Sequence, residues 1–128
     1  MNDYSLVLLH STVDILKRTE LHEYDGKSVI FKYTVHKDDC NLAGTLHGGA
    51  IATLADILTT YASLIEDLHL RPGVSISLDV EFLRAPKPSE LIFIQCTTDK
   101  TGAFLSFSSA VFVSSKVPDF LEFRSTPI

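Results

Sequence analysis

One continuous apolar stretch constrains this chain more than any other feature. From Gly48 to Ile65 the sequence consists mostly of Ala, Leu and Ile, and Asp56 is the only charged residue. Its composition and its two initial glycines predict a long central helix over about residues 48–66. A helix that is apolar on nearly every side lies in a protein core or in a membrane. A carboxylate buried there is costly, so Asp56 needs a partner or a task.

The polar residues of this stretch fall on a single helix face. Gly49, Thr53, Asp56, Thr60 and Ser63 follow one another at spacings of four, three, four and three residues, which places them in one stripe. We call this stripe the polar seam. The other three sides of the helix are predicted to lie in a core. The seam fits two interpretations, a close contact between two helices and a catalytic surface, and both can hold together.

Composition and charge exclude several kinds of protein and of binding partner. With 128 residues the chain is predicted to be one domain over 1–128, and its net charge of −5 argues against nucleic acid as a partner. A hydrophobic content of 45% indicates additional apolar surface between subunits. The mid-helix Asp56 argues against a membrane span. Cys40 and Cys96 lack metal-site spacing, so we expect reduced thiols, no bound metal and an intracellular location without a secretory signal.

The remainder of the chain predicts a second helix and several strands. An amphipathic pattern indicates an N-terminal helix over about 3–18. Alternating patterns and turn residues predict strands at about 21–24, 28–36, 74–82, 90–98 and 103–114, a hairpin turn at 99–102, and a final edge strand at 120–125. Consecutive strands with short connections form an antiparallel sheet. Such a sheet can wrap around a helix that is apolar on nearly all sides.

The segment that leads into the central helix carries a more specific pattern. Asn41 and Gly44 precede the run His47-Gly48-Gly49, and Asp56 follows eight residues after Gly48. This pattern resembles the small single-domain acyl-CoA thioesterases of the hotdog fold, the branch with the phenylacetyl-CoA thioesterases and their mammalian counterparts. The resemblance covers roughly residues 25–115. It implies an α+β hotdog fold, with an antiparallel sheet wrapped around the long central helix, here with an additional N-terminal helix.

The resemblance also implies roles for individual residues. The backbone N–H of Gly48 would polarise the thioester carbonyl, as suits a helix N-terminus, which attracts negative charge. Asp56 would act as general base on water or as nucleophile. Asn41 would orient the water or Asp56, and Ser75 is a second candidate for that task. His47 has two open interpretations, a hydrogen bond near the carbonyl and a loop-holding role.

Simple helix geometry predicts that the site is shared between two subunits. The eight residues from Gly48 to Asp56 correspond to about 12 Å of helix. An oxyanion donor and an attacking group must converge within about 3 Å of one reacting centre. One helix therefore cannot supply both, whereas an antiparallel partner helix can. We expect a homodimer with two equivalent sites, and the resemblance adds a dimer of dimers.

Substrate contacts are assigned to further candidates. Gly49 and Thr60 belong to the polar seam, although Thr60 also suits simple packing. Arg84, Lys87 and Lys100 are candidates for the phosphates of CoA, and each also suits an ordinary solvated charge. No metal or redox cofactor is expected, and CoA is counted as part of the substrate.

The leading interpretation is hydrolysis of a fatty or aryl acyl-CoA to free acid and CoA, in lipid metabolism. A cytoplasmic location is expected, with a mitochondrial one as the alternative that the family allows. A second interpretation is a non-catalytic acyl-CoA-binding module, in which Asp56 is not needed. A third, less favoured, is a hotdog dehydratase or hydratase, which uses a different arrangement of histidine and carboxylate.

Overall fold

A computed structural model of the chain describes residues 14–66, 77–81, 84–102, 105–115 and 122–127. Within these segments lie two α-helices, a short 3₁₀ turn and six strands. Their bounds are α1 Asp14–Lys17, β1 Thr19–Tyr24, β2 Val29–Thr34, the 3₁₀ turn Lys37–Asp39, α2 Gly48–Glu66, β3 Leu78–Glu81, β4 Leu91–Thr101, β5 Ser106–Ser114 and β6 Glu122–Pro127. The described part of the predicted N-terminal helix is α1, and residues 3–13 lie outside the described residues.

The strands form one antiparallel sheet against which α2 packs. Their order across the sheet is β1-β2-β4-β5-β6-β3, and each neighbouring pair is antiparallel. Helix α2 contacts β2, β4, β5 and β6. The predicted combination of an antiparallel sheet with a long central helix is confirmed.

The core lies between one face of α2 and the middle of the sheet. The α2 residues Ile51, Leu54, Ala55, Leu58 and Ala62 are buried at helical spacing. They pack into a cluster with side chains from the neighbouring strands β2, β4 and β5. The expectation of three buried sides is wrong for the single chain, because a sheet covers a helix from one side.

The remaining sides of α2 are only partly covered. Ile57, Tyr61 and Ile65 pack against the core at its margin and stay half-buried. Helix α2 is long and apolar enough to cross a membrane by length and composition. Its buried face shows that it is the core helix of this sheet.

Strand β2 follows the predicted alternation. Val29, Phe31 and Tyr33 are buried, and Phe31 and Tyr33 lie opposite Ile94 and Ile92 of β4. A branched or aromatic residue on a half-buried pleated surface stabilises the sheet through such cross-strand neighbours.

A turn at Asp25 and Gly26 joins β1 to β2. The carboxylate of Asp25 accepts the N–H groups of Lys27 and Ser28, both at 2.8 Å. Gly26 has a φ of 90°, which glycine adopts without steric cost.

Two strand predictions need correction. Strand β4 continues to Thr101, and its pairing register with β5 shifts between Thr98 and Lys100. The turn therefore begins at Gly102, whose N–H donates to the carbonyl of Leu105 at 2.7 Å. Pairing with β5 outweighs the turn propensity of residues 99–102. The final strand is not at an edge, because β6 lies between β5 and β3. A strand's place in a sheet depends on its partners, and local sequence does not encode them.

Candidate active site

The loop between the 3₁₀ turn and α2 is a narrow hairpin closed by backbone hydrogen bonds. Cys40 and Leu46 form an isolated antiparallel bridge. On one side of it the N–H of Asn41 donates to the carbonyl of Thr45 at 2.8 Å, and on the other the N–H of His47 donates to the carbonyl of Asp39 at 2.9 Å. The loop therefore delivers His47 to the start of α2 in a defined position.

Asn41 uses its side chain to hold this loop. Its Oδ1 accepts the N–H groups of Ala43 at 3.0 Å and Thr45 at 3.2 Å. Its Nδ2 donates to the hydroxyl of Thr45 at 3.1 Å. Gly44, with a φ of 82°, completes the turn. In the single chain the amide of Asn41 is therefore a loop support, and its predicted contact with water or Asp56 stays a prediction.

His47 caps the N-terminus of α2. Its Nδ1 accepts the N–H of Gly49 at 2.8 Å, and its carbonyl accepts the N–H groups of Ala50 at 2.9 Å and Ile51 at 3.1 Å. A side chain that accepts an early helix N–H replaces a hydrogen bond that the helix cannot make. As an acceptor, Nδ1 carries no proton. This geometry favours the loop-holding interpretation of His47.

The same contact explains the glycine at position 49. A Cβ on Gly49 would come within 2.9 Å of Nδ1 and 3.1 Å of Cε1 of His47. The imidazole therefore needs a residue without a side chain beneath it. The N–H of Gly49 is bound inside the chain, so the predicted substrate contact of Gly49 does not involve a free backbone donor.

Gly48 occupies the first position of α2 and keeps its donor available. Among the described residues, no acceptor takes the N–H of Gly48. The positive end of the helix dipole lies at this position. Gly48 also lines a pocket of about 350 Å³. The other lining residues are Asn41, Thr45, Leu46, Ile51, Arg84 and Ala85.

Arg84 forms one wall of this pocket and is held by a buried acid. It pairs with Glu90, whose side chain is 3% exposed, while 29% of the Arg84 side chain remains exposed. Glu90 also accepts the N–H of Lys87 at 3.2 Å and the hydroxyl of Ser114 at 3.0 Å. The charge of Arg84 is therefore largely balanced within the chain.

The other predicted basic residues lie at two different places. Lys87 is exposed and belongs to the same turn as Arg84. Lys100 lies near the far end of β4, nine residues beyond Leu91, which corresponds to about 30 Å. The structure thus places Asn41, Gly48 and Arg84 at one pocket and separates Lys100 from it.

Asp56 lies at the middle of the polar seam and away from the pocket. It is half-buried on the uninterrupted helix α2, eight residues after Gly48, which is about 12 Å. The hydroxyl of Thr60 donates to the Asp56 carbonyl at 3.1 Å, and that of Thr53 donates to the Gly49 carbonyl at 2.8 Å. Thr60 therefore uses its hydroxyl within its own helix.

The two ends of the polar seam differ in what surrounds them. Ser63 turns to the sheet and meets the hydroxyls of Thr98 at 2.9 Å and Ser108 at 3.3 Å. Gly49, in contrast, is exposed. Ser75, the second candidate for orienting the water or Asp56, lies outside the described residues.

An ion-pair network beside the loop was not predicted from the sequence. The Asp39 carboxylate accepts Nη2 of Arg18 at 2.5 Å, Nε of Arg18 at 3.1 Å and the hydroxyl of Tyr33 at 2.5 Å. We call these three residues the Asp39 network. The hydrogen bond to Asp39 raises the pKa of Arg18, while burial and the same acid raise the pKa of Tyr33. A signal was present in Tyr33, because a tyrosine on the buried face of a strand needs a partner for its hydroxyl.

Cys40, beside Asn41, is less reactive than its loop position suggests. Burial and the nearby Asp39 raise the pKa of its thiol. A higher pKa lowers the fraction of thiolate, which is the reactive form.

Comparisons with known proteins agree with this architecture. The family model described as "Thioesterase superfamily" matches residues 43–116, more than half of the chain. Human acyl-coenzyme A thioesterase 13 is 37% identical over 81 residues, which cover 63% of this chain and 57% of the relative. The chain thus spans less than two thirds of that relative's length.

Solved structures match over a larger share. Thioesterase superfamily member 2 from Mus musculus has a TM-score of 0.87 at 25% identity, over 98% of this chain and 92% of that one. A hypothetical thioesterase from Streptococcus pneumoniae, solved with coenzyme A, has a TM-score of 0.74 at 20% identity, over 85% and 84%, and shows the fold alone. The chain belongs to the thioesterase superfamily and has its hotdog fold.

Proposed function

We propose that this protein hydrolyses acyl-CoA thioesters to a free acid and CoA, at sites shared between two subunits of a homodimer. One observation carries the proposal. The N–H of Gly48 has no acceptor among the described residues, and Gly48 is one of the residues that line a pocket at the N-terminus of a long helix. Family membership and the predicted pattern from Asn41 to Asp56 support the same reaction.

The first chemical requirement is a donor for the thioester oxygen. When a nucleophile attacks the carbonyl carbon, the oxygen becomes negative, and a donor already in place stabilises that charge. The N–H of Gly48 supplies this donor, and the dipole of α2 adds to it. Removal of one such donor costs about 10²–10³ in kcat.

The second requirement is a group that attacks or activates water. Asp56 of the same chain is about 12 Å from Gly48 along α2, so we assign this role to Asp56 of the partner subunit. As a general base it would deprotonate water; as a nucleophile it would form an anhydride that water then hydrolyses. In both routes the carbon–sulfur bond breaks, and the CoA thiolate leaves and takes up a proton.

The choice of CoA esters as the substrate class rests on relatives. The human relative is named an acyl-coenzyme A thioesterase, and the Streptococcus pneumoniae neighbour was solved with coenzyme A. Arg84 and Lys87 are the predicted basic residues nearest to the Gly48 pocket, and Lys100 is not near the pocket of its own chain. No metal or redox group enters the proposed reaction, and the dimer of dimers and the cytoplasmic location remain proposals.

The test is a thiol-release assay on the purified protein. The panel runs from short-chain to long-chain acyl-CoAs and includes phenylacetyl-CoA, so that it also identifies fatty or aryl preference. We expect turnover on part of the panel and its loss in Asp56→Asn. Asp99→Asn is the matched control, because Asp99 is an exposed acid on β4 whose carboxylate contacts only the hydroxyl of Ser109, at 3.3 Å, among the contacts described.

A non-catalytic acyl-CoA-binding module is the second candidate. One observation favours the binding module. Within a single chain the Gly48 pocket offers a donor to a thioester carbonyl, and Asp56 is not among the residues that line this pocket. Binding of a CoA ester without turnover, and with equal affinity in Asp56→Asn, would support the module and contradict the hydrolase.

A further inference from the structure

The Asp39 network ties the start of α2 to the sheet. Arg18 follows α1 directly, Tyr33 lies on β2, and Asp39 ends the 3₁₀ turn. The Asp39 side chain is 9% exposed and receives both nitrogens of the Arg18 fork as well as the Tyr33 hydroxyl. A forked, charge-assisted pair defines direction as well as distance. The carboxylate of Asp39 is therefore held in one orientation by two separate elements.

The backbone of the same residue holds the helix start. The carbonyl of Asp39 accepts the N–H of His47 at 2.9 Å. His47 in turn caps α2 through the N–H of Gly49, and Gly48 lies between these two residues. Two hydrogen bonds, one on each side of the peptide group that carries the Gly48 N–H, thus connect this segment to Asp39, whose side chain is itself held by Arg18 and Tyr33.

We propose that Asp39 is a positioning residue, which sets the direction of the Gly48 N–H through His47. The inference rests on the proposed function, because it assigns the Gly48 donor to the thioester oxygen. Asp39 does not line the pocket, so it acts without touching the substrate.

The expected fall in kcat follows from how strongly the reaction rate depends on the position of the hydrogen-bond donor. A misplacement of about 1 Å can cost about a hundredfold in rate. Asp39→Asn keeps the shape of the side chain but leaves the Arg18 guanidinium, 29% exposed, without its counter-charge. We expect kcat to fall by about tenfold to a hundredfold while KM stays within about twofold.

The experiment compares Asp39→Asn with two milder variants and a matched control. Tyr33→Phe removes the hydrogen bond from the tyrosine hydroxyl to Asp39. Arg18→Lys keeps the positive charge but cannot make the two-nitrogen contact of the guanidinium. Asp25→Asn is the control, because the Asp25 carboxylate also accepts N–H groups in a loop, yet its charge acts on Glu66, at the end of α2 opposite to Gly48. Rates are measured per folded protein, well below each variant's Tm, so that loss of folded material does not imitate loss of kcat.

A spectroscopic measurement separates positioning from stability. In an Asp56→Asn background a CoA ester stays intact, and the infrared band of its thioester carbonyl reports the hydrogen bond to Gly48. A hydrogen bond lowers the stretching frequency of a carbonyl. We expect the band to shift back towards its value in water when Asp39→Asn is added, and to stay unchanged with Asp25→Asn.

The outcomes distinguish this inference from the proposed function. Wild-type turnover, with an unchanged kcat and an unchanged carbonyl band in both Asp39→Asn and Tyr33→Phe, would overturn the positioning role and leave the hydrolase intact. A wild type that binds CoA esters but never hydrolyses them would contradict the hydrolase, and a carbonyl band in it that moves towards its value in water on Asp39→Asn would still support the positioning role. A lower Tm with normal kcat and a normal band assigns Asp39 to stability alone and also overturns the inference.

Discussion

His47 is the N-cap of α2, a role that serine, threonine, asparagine or aspartate has at most helix N-termini. Its imidazole accepts the Gly49 N–H and closes the space in which a side chain at position 49 would lie. The glycine pair thus has two separate physical reasons. Gly48, a pocket residue, has an N–H that no acceptor in the described part of the chain takes, whereas Gly49 accommodates the ring of its neighbour.

This geometry predicts how substitutions of His47 behave. His47→Ala removes the cap, so we expect a loss of about 1 kcal/mol in the free energy of unfolding together with a fall in kcat. Asparagine is a strong N-cap, so His47→Asn should restore both. Urea unfolding and steady-state kinetics measure the two effects. Restored stability with kcat still low would instead show that the imidazole contacts the thioester.

Arg84 combines an ion pair inside the chain with a predicted contact to CoA. Its partner Glu90 is buried, and removing one partner of a buried pair leaves an uncompensated charge. We expect Arg84→Ala to cost about 3 kcal/mol in the free energy of unfolding, and Lys87→Ala, at an exposed side chain, less than about 0.5 kcal/mol. Urea unfolding checks both values, and near-equal losses would contradict the prediction.

At the scale of elements, the two ends of α2 differ sharply in their electrostatics. The N-terminus has a side-chain cap, whereas the last turn contains no basic residue and ends at Glu66. An acid at a helix C-terminus meets the negative end of the dipole. In addition, Oε1 of Glu66 is buried and accepts no hydrogen bond from the described residues.

Burial raises the pKa of Glu66; a hydrogen bond with Thr98 acts in the opposite direction, and the charges of Asp25 and Asp99 add to the rise. Because the folded state then binds the proton more tightly than the unfolded state does, ionised Glu66 lowers stability. This destabilising contribution is absent below the ordinary pKa of 4.5 and grows as the pH rises through the folded-state value.

The consequence is a pH-dependent gain in Glu66→Gln. We expect its Tm to exceed that of the wild type at neutral pH, and the difference to shrink as the pH falls towards 4.5. Thermal unfolding across this pH range measures it. Glu23→Gln, at an exposed site on β1, is the control and should give a nearly constant difference. A difference that grows on acidification would have the wrong sign for a buried carboxylate.

At the scale of the whole molecule, α2 separates the two groups that the proposed reaction uses, the N–H of Gly48 and the carboxylate of Asp56. A helix is a stiff rod of about 1.5 Å per residue, so no local adjustment brings Asp56 to the Gly48 of its own chain. The polar seam stays partly exposed because the sheet covers the opposite face of α2. A second copy with an antiparallel α2 would cover the seam and complete both sites.

Mixing two inactive variants tests the shared site. Gly48→Pro removes the N–H at the first helical position, where proline is well tolerated, and Asp56→Asn removes the acid. Each homodimer should be inactive, whereas a heterodimer would contain one intact site of two. After refolding an equimolar mixture, half the dimers are mixed, so we expect about a quarter of wild-type activity. No recovery, in a mixture shown to contain heterodimers, would place both groups in one subunit's site.

Local patterns in the sequence were enough for the elements that depend on near neighbours. The α2 bounds of Gly48–Glu66 follow from composition and the glycine start, and the buried side of β2 follows from its alternation. Both signals arise because helix and strand geometry relate residues two to four positions apart. The same spacing argument identified Gly48 and Asp56 as groups too far apart on one helix.

The tertiary structure decided everything that joins distant parts of the chain. Arg18 and Asp39 are 21 residues apart, and Glu90 and Ser114 are 24 apart. Such pairs form only after the strands have chosen their neighbours, as the interior place of β6 shows. A charged residue in a polar loop looks the same in sequence whether it faces solvent or a buried arginine. The sequence by itself therefore determined the helix, the buried face of β2 and the candidate site residues, and only the folded chain determined what holds them in place.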